Sequence, residues 1–219
     1  MTTLDKHTDM QRLVDSGVVA VMRGADADTV IEVADALYEG GVTAIELTAD
    51  TPGVMEMISE VSASFDDSET IIGAGTVLDA ETARSALLAG AEFVVSPTLE
   101  EDVIDVANRY GKLVAPGVMT PTEALRGYER GADFVKVFPA SSLGPGHVSS
   151  IKGPLGQIPI MPTGGVDVDN ATDFIEAGAV VVGAGSALVD DEAVEAGDFE
   201  AITEQARKFS EVIDDARDE

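Results

Sequence analysis

The stretch TIIGAGTVLDAETARSALLAGAEFVV, residues 70–95, decides the fold. It opens on a short β-branched run, Thr70 to Ala74, and turns through GAGTV. It continues as the helical segment ETARSALLAGA, stops at glycine, and ends in a second apolar run, Glu92 to Val95. No hairpin signal joins the two runs, so the second strand lies parallel to the first with the helix as crossover. The unit recurs. Further runs fall at Val18 to Met22, Thr43 to Leu47, Lys112 to Ala115, Asp133 to Val137, Ile158 to Met161 and Ala179 to Gly183, with starts 20 to 27 residues apart. Such an interval holds one helix and two short loops. In ADTVIEVADALYEGG, Val30, Val33, Ala34 and Leu37 form an apolar stripe at helical spacing, and the helix-then-glycine ending returns in TEALRGYERGA and ATDFIEAGA. Eight units predict an α/β fold closed into a (β/α)8 TIM barrel; a doubly wound open sheet shares the alternation and is the rival. Leu4 to Ser16 reads as an extra N-terminal helix and the tail from Asp190 as an acidic final helix. No linker divides the chain, so residues 1–219 are expected to form one domain.

Composition narrows the function. Thirteen Lys plus Arg stand against 41 Asp plus Glu, a formal charge of -28, and only five residues are lysine. That field repels polyanions, so neither nucleic acid nor an anionic membrane surface is an expected partner. Acidic charge spread along the whole chain fits a surface kept hydrated at very high salt, the cytosol of a halophile, although an acidic mesophilic protein has the same signature. There is no cysteine, and His7 and His147 stand alone, so no metal site and no cofactor are expected. The start, MTTLDKHTDMQRLVDSG, has neither a basic n-region nor an apolar h-region, which suggests a cytoplasmic protein.

In a parallel barrel the chemistry gathers at the carboxyl ends of the strands. In GADFVKVFPA, residues 131–140, Lys136 interrupts an apolar run, with Phe134 and Phe138 two positions away on its own face. Withdrawal from water disfavours an ammonium and leaves the free amine, a nucleophile for ketones. A lysine at a strand edge can also snorkel its head to water. Glu46 occupies the matching place in GGVTAIELTADTPG, where a buried carboxylate can act as acid and base, or cap loop backbone. PTGGV (Pro162 to Val166) follows the seventh run and GAGSAL (Gly183 to Leu188) the eighth. Glycines there let backbone N–H groups approach phosphate oxygens, which makes Gly164, Gly165, Gly185 and Ser186 the candidate phosphate loops; tight turns alone would also use them. Arg23, Thr76, Ser96, Pro97, Phe138 and Thr163 complete the mouth. Arg23 suits a carboxylate or phosphate clamp, or a surface ion pair with Asp26 or Asp28, while His147 reads as a solvated loop residue.

Together IEL, GAGTVL, VVSP, VKVFPA, PTGGV and the closing GSAL resemble the bacterial-type 2-keto-3-deoxy-6-phosphogluconate and 6-phosphogalactonate aldolases, from about Leu13 to Phe209. The resemblance implies a class I Schiff-base aldolase of (β/α)8 fold, a homotrimer of the Entner-Doudoroff pathway acting on a phosphorylated keto sugar acid. It implies that Lys136 forms the imine and Glu46 shuttles protons through a water. Arg23, Thr76, Pro97, Phe138 and Thr163 would contact the substrate, with Gly164, Gly165, Gly185 and Ser186 on its phosphate. One departure stands out: gluconate-type members carry an arginine four residues after the glutamate, and here that position is Asp50. Arg23, placed as in the galactonate type together with SSLGPG, is expected to supply the missing charge, and the preferred epimer stays open. On the residues alone, an isomerase or epimerase and a non-catalytic sugar-phosphate sensor remain alternatives.

Overall fold

Parallel strands alternate with helices throughout the computed structural model, which describes residues 3–65 and 70–218. Helix α1 (Thr3–Ser16) leads into β1 (Val18–Met22), α2 (Val30–Glu39), β2 (Ala44–Thr48), α3 (Val54–Ser64) and β3 (Ile71–Gly75). Then come α4 (Ala80–Ala89), β4 (Phe93–Val95), α5 (Glu101–Tyr110), β5 (Leu113–Ala115), β6 (Gly117–Val118), α6 (Pro121–Arg130) and β7 (Val135–Val137). The chain closes with α7 (Ala140–Leu143), α8 (Pro145–Lys152), β8 (Ile160–Pro162), α9 (Ala171–Glu176), β9 (Val182–Ala184), α10 (Asp191–Ala196) and α11 (Phe199–Asp218). No helix among the described residues is long and apolar enough to cross a membrane.

All strand pairs are parallel, in one sheet ordered β5-β4-β3-β2-β1-β9 and a second ordered β6-β7-β8. The ladder is thus divided into arcs of six and three, where the sequence suggested one ring of eight. Pro116 causes the break between β5 and β6, since it has no N–H to give the ladder. The sheets are tied at both edges. On one side the N–H of Lys136 donates to the Pro116 carbonyl (2.8 Å) and that of Asp133 to Val114 (3.1 Å). On the other, Thr163 and Gly183 form a parallel bridge, and the Val180 N–H donates to the Ile160 carbonyl (3.1 Å).

Strict alternation along the strands builds two cores. Val18, Ala20 and Met22 of β1 pack toward the helices, whereas Val19 faces inward with Ala44, Ile71, Phe93, Val95, Leu113, Ala115, Phe134, Met161 and Val181. Burial on both sides explains why the strands read as continuous β-branched runs instead of alternating polar and apolar residues. Helix α1 covers the amino-terminal end of the inner core with Met10, Leu13 and Val14. It is held there by Arg12, which reaches Glu92 (2.8 Å) and the Thr70 carbonyl, and by Lys6, which pairs with Asp133 (2.9 Å).

Two sequence expectations need correction, the single acidic final helix and the loop position of His147. The acidic tail is two helices, because Gly197 enters the left-handed region and stops α10. SSLGPG forms α7 and the start of α8, with Pro145 at the first turn, where its missing N–H costs nothing. His147 therefore lies on a helix, its Nε2 2.8 Å from the Met119 carbonyl oxygen.

Helix α4 starts at the Asp79 N-cap, whose carboxylate accepts from the Thr82 N–H (2.6 Å) and hydroxyl (3.0 Å). The backbone bond first, then the hydroxyl, hold this carboxyl below its ordinary 3.8. A group depressed in this way stabilises the fold above its unfolded pKa, and the contribution is lost as pH falls through the folded value. Asp79→Ala is expected to cost about 1 kcal/mol at neutral pH. In urea denaturation the gap between variant and parent should narrow below about pH 4.

Candidate active site

The inner face changes character one step above the apolar core. Alternation carries it from Ala44 to Glu46 on β2 and from Phe134 to Lys136 on β7. Register sets Glu46 between Val21 and Gly73, and Lys136 between Gly117 and Met161. Though on strands of different sheets, the two side chains meet, with Nζ 3.8 Å from Oε1. Glu46 is 1% exposed and Lys136 5%. Neither carboxylate oxygen of Glu46 has a hydrogen-bond partner, and the Lys136 ammonium nitrogen lies 5.3 Å from the Phe138 ring centroid. Buried ion pairs that serve structure alone are normally saturated with hydrogen bonds, because desolvating both charges otherwise outweighs their attraction. This pair is not saturated, and its free oxygens remain available for a ligand proton.

Glycines make the room. A Cβ on Gly75 would strike the Glu46 carboxylate, one on Gly73 the Phe93 ring, and one on Gly183 the Thr163 side chain. We expect Gly75→Ala to displace Glu46, to cost about 1–3 kcal/mol of stability through overpacking, and to lower kcat as well. Urea denaturation and steady-state rates on one preparation test both effects. Gly117 is equally tight against the backbone of Pro97 and Thr98, which sets Pro97 beside the strand that pairs with Lys136.

At the strand ends, Arg23 follows β1, Asp50 lies in the turn after β2, and Thr76 follows β3. Arg23 forms an ion pair through Nη1 with Asp50 and donates from Nη2 to the Thr76 hydroxyl (3.2 Å). It does not use its loop neighbours; Asp26 instead accepts from the Asp28 N–H (2.9 Å). Thr76 sits at φ 54°, the one non-glycine with positive φ among the described residues. For a β-branched residue that is a strained backbone, of the kind found where a side chain must be aimed.

The glycine loops lie on the adjoining ends. The Thr163 N–H donates to the Val137 carbonyl (3.0 Å), one residue from Lys136, while its buried hydroxyl has no partner. Gly164 and Gly165 adopt φ 93° and 76°, and their carbonyls are drawn aside by the Ser141 N–H (2.8 Å) and by Asn170 Nδ2 (3.0 Å). The Phe138 ring lies against Gly164. The Gly185 carbonyl is likewise taken by the N–H groups of Leu188 and Val189. The bridge between Thr163 and Gly183 engages the Gly164 N–H with the Gly183 carbonyl, whereas among the described residues no acceptor meets the backbone N–H groups of Gly165, Gly185 or Ser186. With carbonyls turned away and those N–H groups free, the two loops have the form of an anion nest.

Sequence reading missed the partner of Arg23. Asp50 was visible only as an odd residue four positions after Glu46. It also missed what the interior glycines face, since each one meets a side chain or backbone brought in from elsewhere in the fold.

A parallel α/β fold with a buried lysine beside a buried carboxylate, under glycine loops at the strand ends, fits a class: enzymes that capture a carbonyl compound as an imine. A family model described as KDPG and KHG aldolase matches residues 10–205, and the chain belongs to that family. It is 35% identical over 192 residues to the 2-dehydro-3-deoxy-phosphogluconate aldolase of Pseudoalteromonas atlantica, covering 87% of this chain and 88% of that one. It is 33% identical over 172 residues to the 2-dehydro-3-deoxy-6-phosphogalactonate aldolase of Escherichia coli, covering 78% and 83%. The solved KDPG aldolase of Legionella pneumophila, with pyruvate captured as a covalent carbinolamine, matches with a TM-score of 0.84 at 27% identity, over 91% of this chain and 96% of that one. The chain is thus a class I aldolase, a lyase working through a Schiff base.

Proposed function

We propose that the protein cleaves 2-keto-3-deoxy-6-phosphogluconate, its galactonate epimer, or both, to pyruvate and glyceraldehyde 3-phosphate. The observation that carries this reading is the 3.8 Å approach of two buried groups, Lys136 and Glu46. Lys136 attacks the C2 ketone, and loss of water gives an iminium. Glu46, through a water, takes the C4 hydroxyl proton as the C3–C4 bond breaks, and the bond electrons pass into the iminium to give an enamine. Glyceraldehyde 3-phosphate leaves. Glu46 and water return a proton to C3, and hydrolysis frees pyruvate and the amine.

The other roles follow from position. Arg23 and Thr76 bind the pyruvyl carboxylate, and Thr163, Pro97 and Phe138 flank the reacting carbons. The loops of Gly164, Gly165, Gly185 and Ser186 hold the phosphate through the backbone N–H groups of Gly165, Gly185 and Ser186, so remote binding energy orients C4. Arg23→Ala is expected to raise the pyruvate concentration needed for half-saturation about tenfold or more, the scale of one charge-assisted bidentate contact. Half-saturation by glyceraldehyde 3-phosphate should stay near the parent value. Pyruvate release from both purified epimers, measured with a coupled assay, tests the substrate; no release from either would refute it.

We also infer that the arcs of six and three strands are one (β/α)8 barrel, with β5 and β6 a single strand bent at Pro116. Hydrogen bonds across both sheet edges, the shared inner core and the meeting of Lys136 with Glu46 support closure. Residues 1–219 then make one domain with α1 as its extra helix. The remaining features of this reading are a homotrimer, a cytoplasmic address and a high-salt cytosol. The first follows from the family, and the last from the charge of -28.

A further inference from the structure

Arg23 has two acidic neighbours in its own loop and pairs with neither, reaching across two strand ends to Asp50 and Thr76. The turn that carries Asp50 is firmly fixed. The Ala49 N–H donates to the Gly75 carbonyl (2.8 Å), the Thr51 N–H to the Thr48 carbonyl (3.0 Å), and the Gly24 N–H to the Thr51 hydroxyl (3.1 Å). Those three bonds stitch the ends of β1, β2 and β3 together, so Asp50 is a fixed anchor rather than a mobile surface acid. The ion pair itself is open to water, with 62% of the Arg23 side chain and 47% of the Asp50 side chain exposed. Such pairs add little to stability. What the pair does instead is choose a direction for a long side chain that has several acids within its reach.

A guanidinium carries five N–H donors. Asp50 takes one on Nη1 and Thr76 one on Nη2, which leaves three. We propose that Asp50 is a positioning residue: it fixes the Arg23 guanidinium over the ends of β1 to β3, with its remaining N–H groups free for the carboxylate of a 2-oxo acid. The proposal rests on the assignment of Arg23 to the substrate carboxylate. Without Asp50, Arg23 turns to Asp26 or Asp28, and the ligand has to immobilise it at each binding event.

The test compares Asp50→Ala, Asp50→Asn, Arg23→Ala and the Asp50→Ala/Arg23→Ala double variant, each checked for folding by thermal melting. Two quantities are read: the pyruvate concentration that half-saturates borohydride trapping, and KM and kcat for cleavage. Asp50→Ala is expected to raise both the half-saturating pyruvate and KM about five- to tenfold, the scale for immobilising one rotamer-rich side chain on binding. The effect falls on KM rather than kcat, and half-saturation by glyceraldehyde 3-phosphate does not follow it. Asp50→Asn, which keeps an acceptor for Nη1, recovers part of the loss. In the Arg23→Ala background the Asp50 substitution adds nothing, since it acts only through the arginine. Unchanged or tighter pyruvate binding in Asp50→Ala, or an undiminished further loss in the double variant, overturns the positioning role alone. Unchanged pyruvate saturation in Arg23→Ala overturns the carboxylate assignment, and this proposal with it.

Discussion

Lys136→Ala is expected to lower kcat by at least about 10⁴-fold, the scale on which removal of a covalent nucleophile acts. The other lysines lie elsewhere, Lys112 at the amino-terminal end of β5 and Lys208 exposed on α11. Lys6 is bound to Asp133 at the opposite end of the inner core, and Lys152 is engaged by the carbonyls of Gly156 (2.8 Å) and Ile158 (3.1 Å). The change also costs stability, about 3–5 kcal/mol, because it leaves the buried Glu46 carboxylate without its ion-pair partner. Lys136→Ala combined with Glu46→Gln removes that stranded charge and shows whether the fold loss comes from it. Lys136→Met keeps most of the stem and guards against a cavity effect. Circular dichroism and thermal melting of all these variants, beside their cleavage rates, separate chemistry from folding. Turnover within tenfold of the parent in any folded variant would remove Lys136 from the covalent role.

Glu46→Gln should act differently. The amide matches the carboxylate in size and fits the space left by Gly75, so the packing is kept while the proton acceptor is lost. Turnover is expected to fall by about 10² to 10⁴, the range for a general acid–base group. Imine formation with pyruvate should persist, because the nucleophile is intact. Rapid-quench measurement of each step distinguishes the two. If trapping with pyruvate disappears in Glu46→Gln while the fold is kept, Glu46 acts in building the imine and not chiefly in breaking the C3–C4 bond.

The strands were legible because burial on both faces leaves little but β-branched and small residues in each run, as in Val18 to Met22. Lys136 and Glu46 were legible for the converse reason. A charge in such a run is costly, so its presence demands a use. The glycine loops after β8 and β9 were readable as loops, and only their hydrogen bonds reveal which carbonyls turn away. What stayed hidden depends on distance in sequence. Gly73 and Gly75 are plain in the text, yet the ring and carboxylate they accommodate come from β4 and β2. The Arg23–Asp50 pair joins residues 27 positions apart, in competition with nearer acids, and only the stitched strand ends decide it. Pro116 was visible too, but β6, beyond the expected run Lys112 to Ala115, is a matter of ladder hydrogen bonds, which no residue pattern displays.

The central claim is that one shielded amine captures a keto acid. Incubation with pyruvate and borohydride, followed by peptide mass mapping, tests it most directly. The expected result is a single reduced pyruvyl group on the peptide bearing Lys136, formed in Glu46→Gln and absent from Lys136→Ala. A full-length protein of unchanged mass, or an adduct on any other lysine, would contradict it.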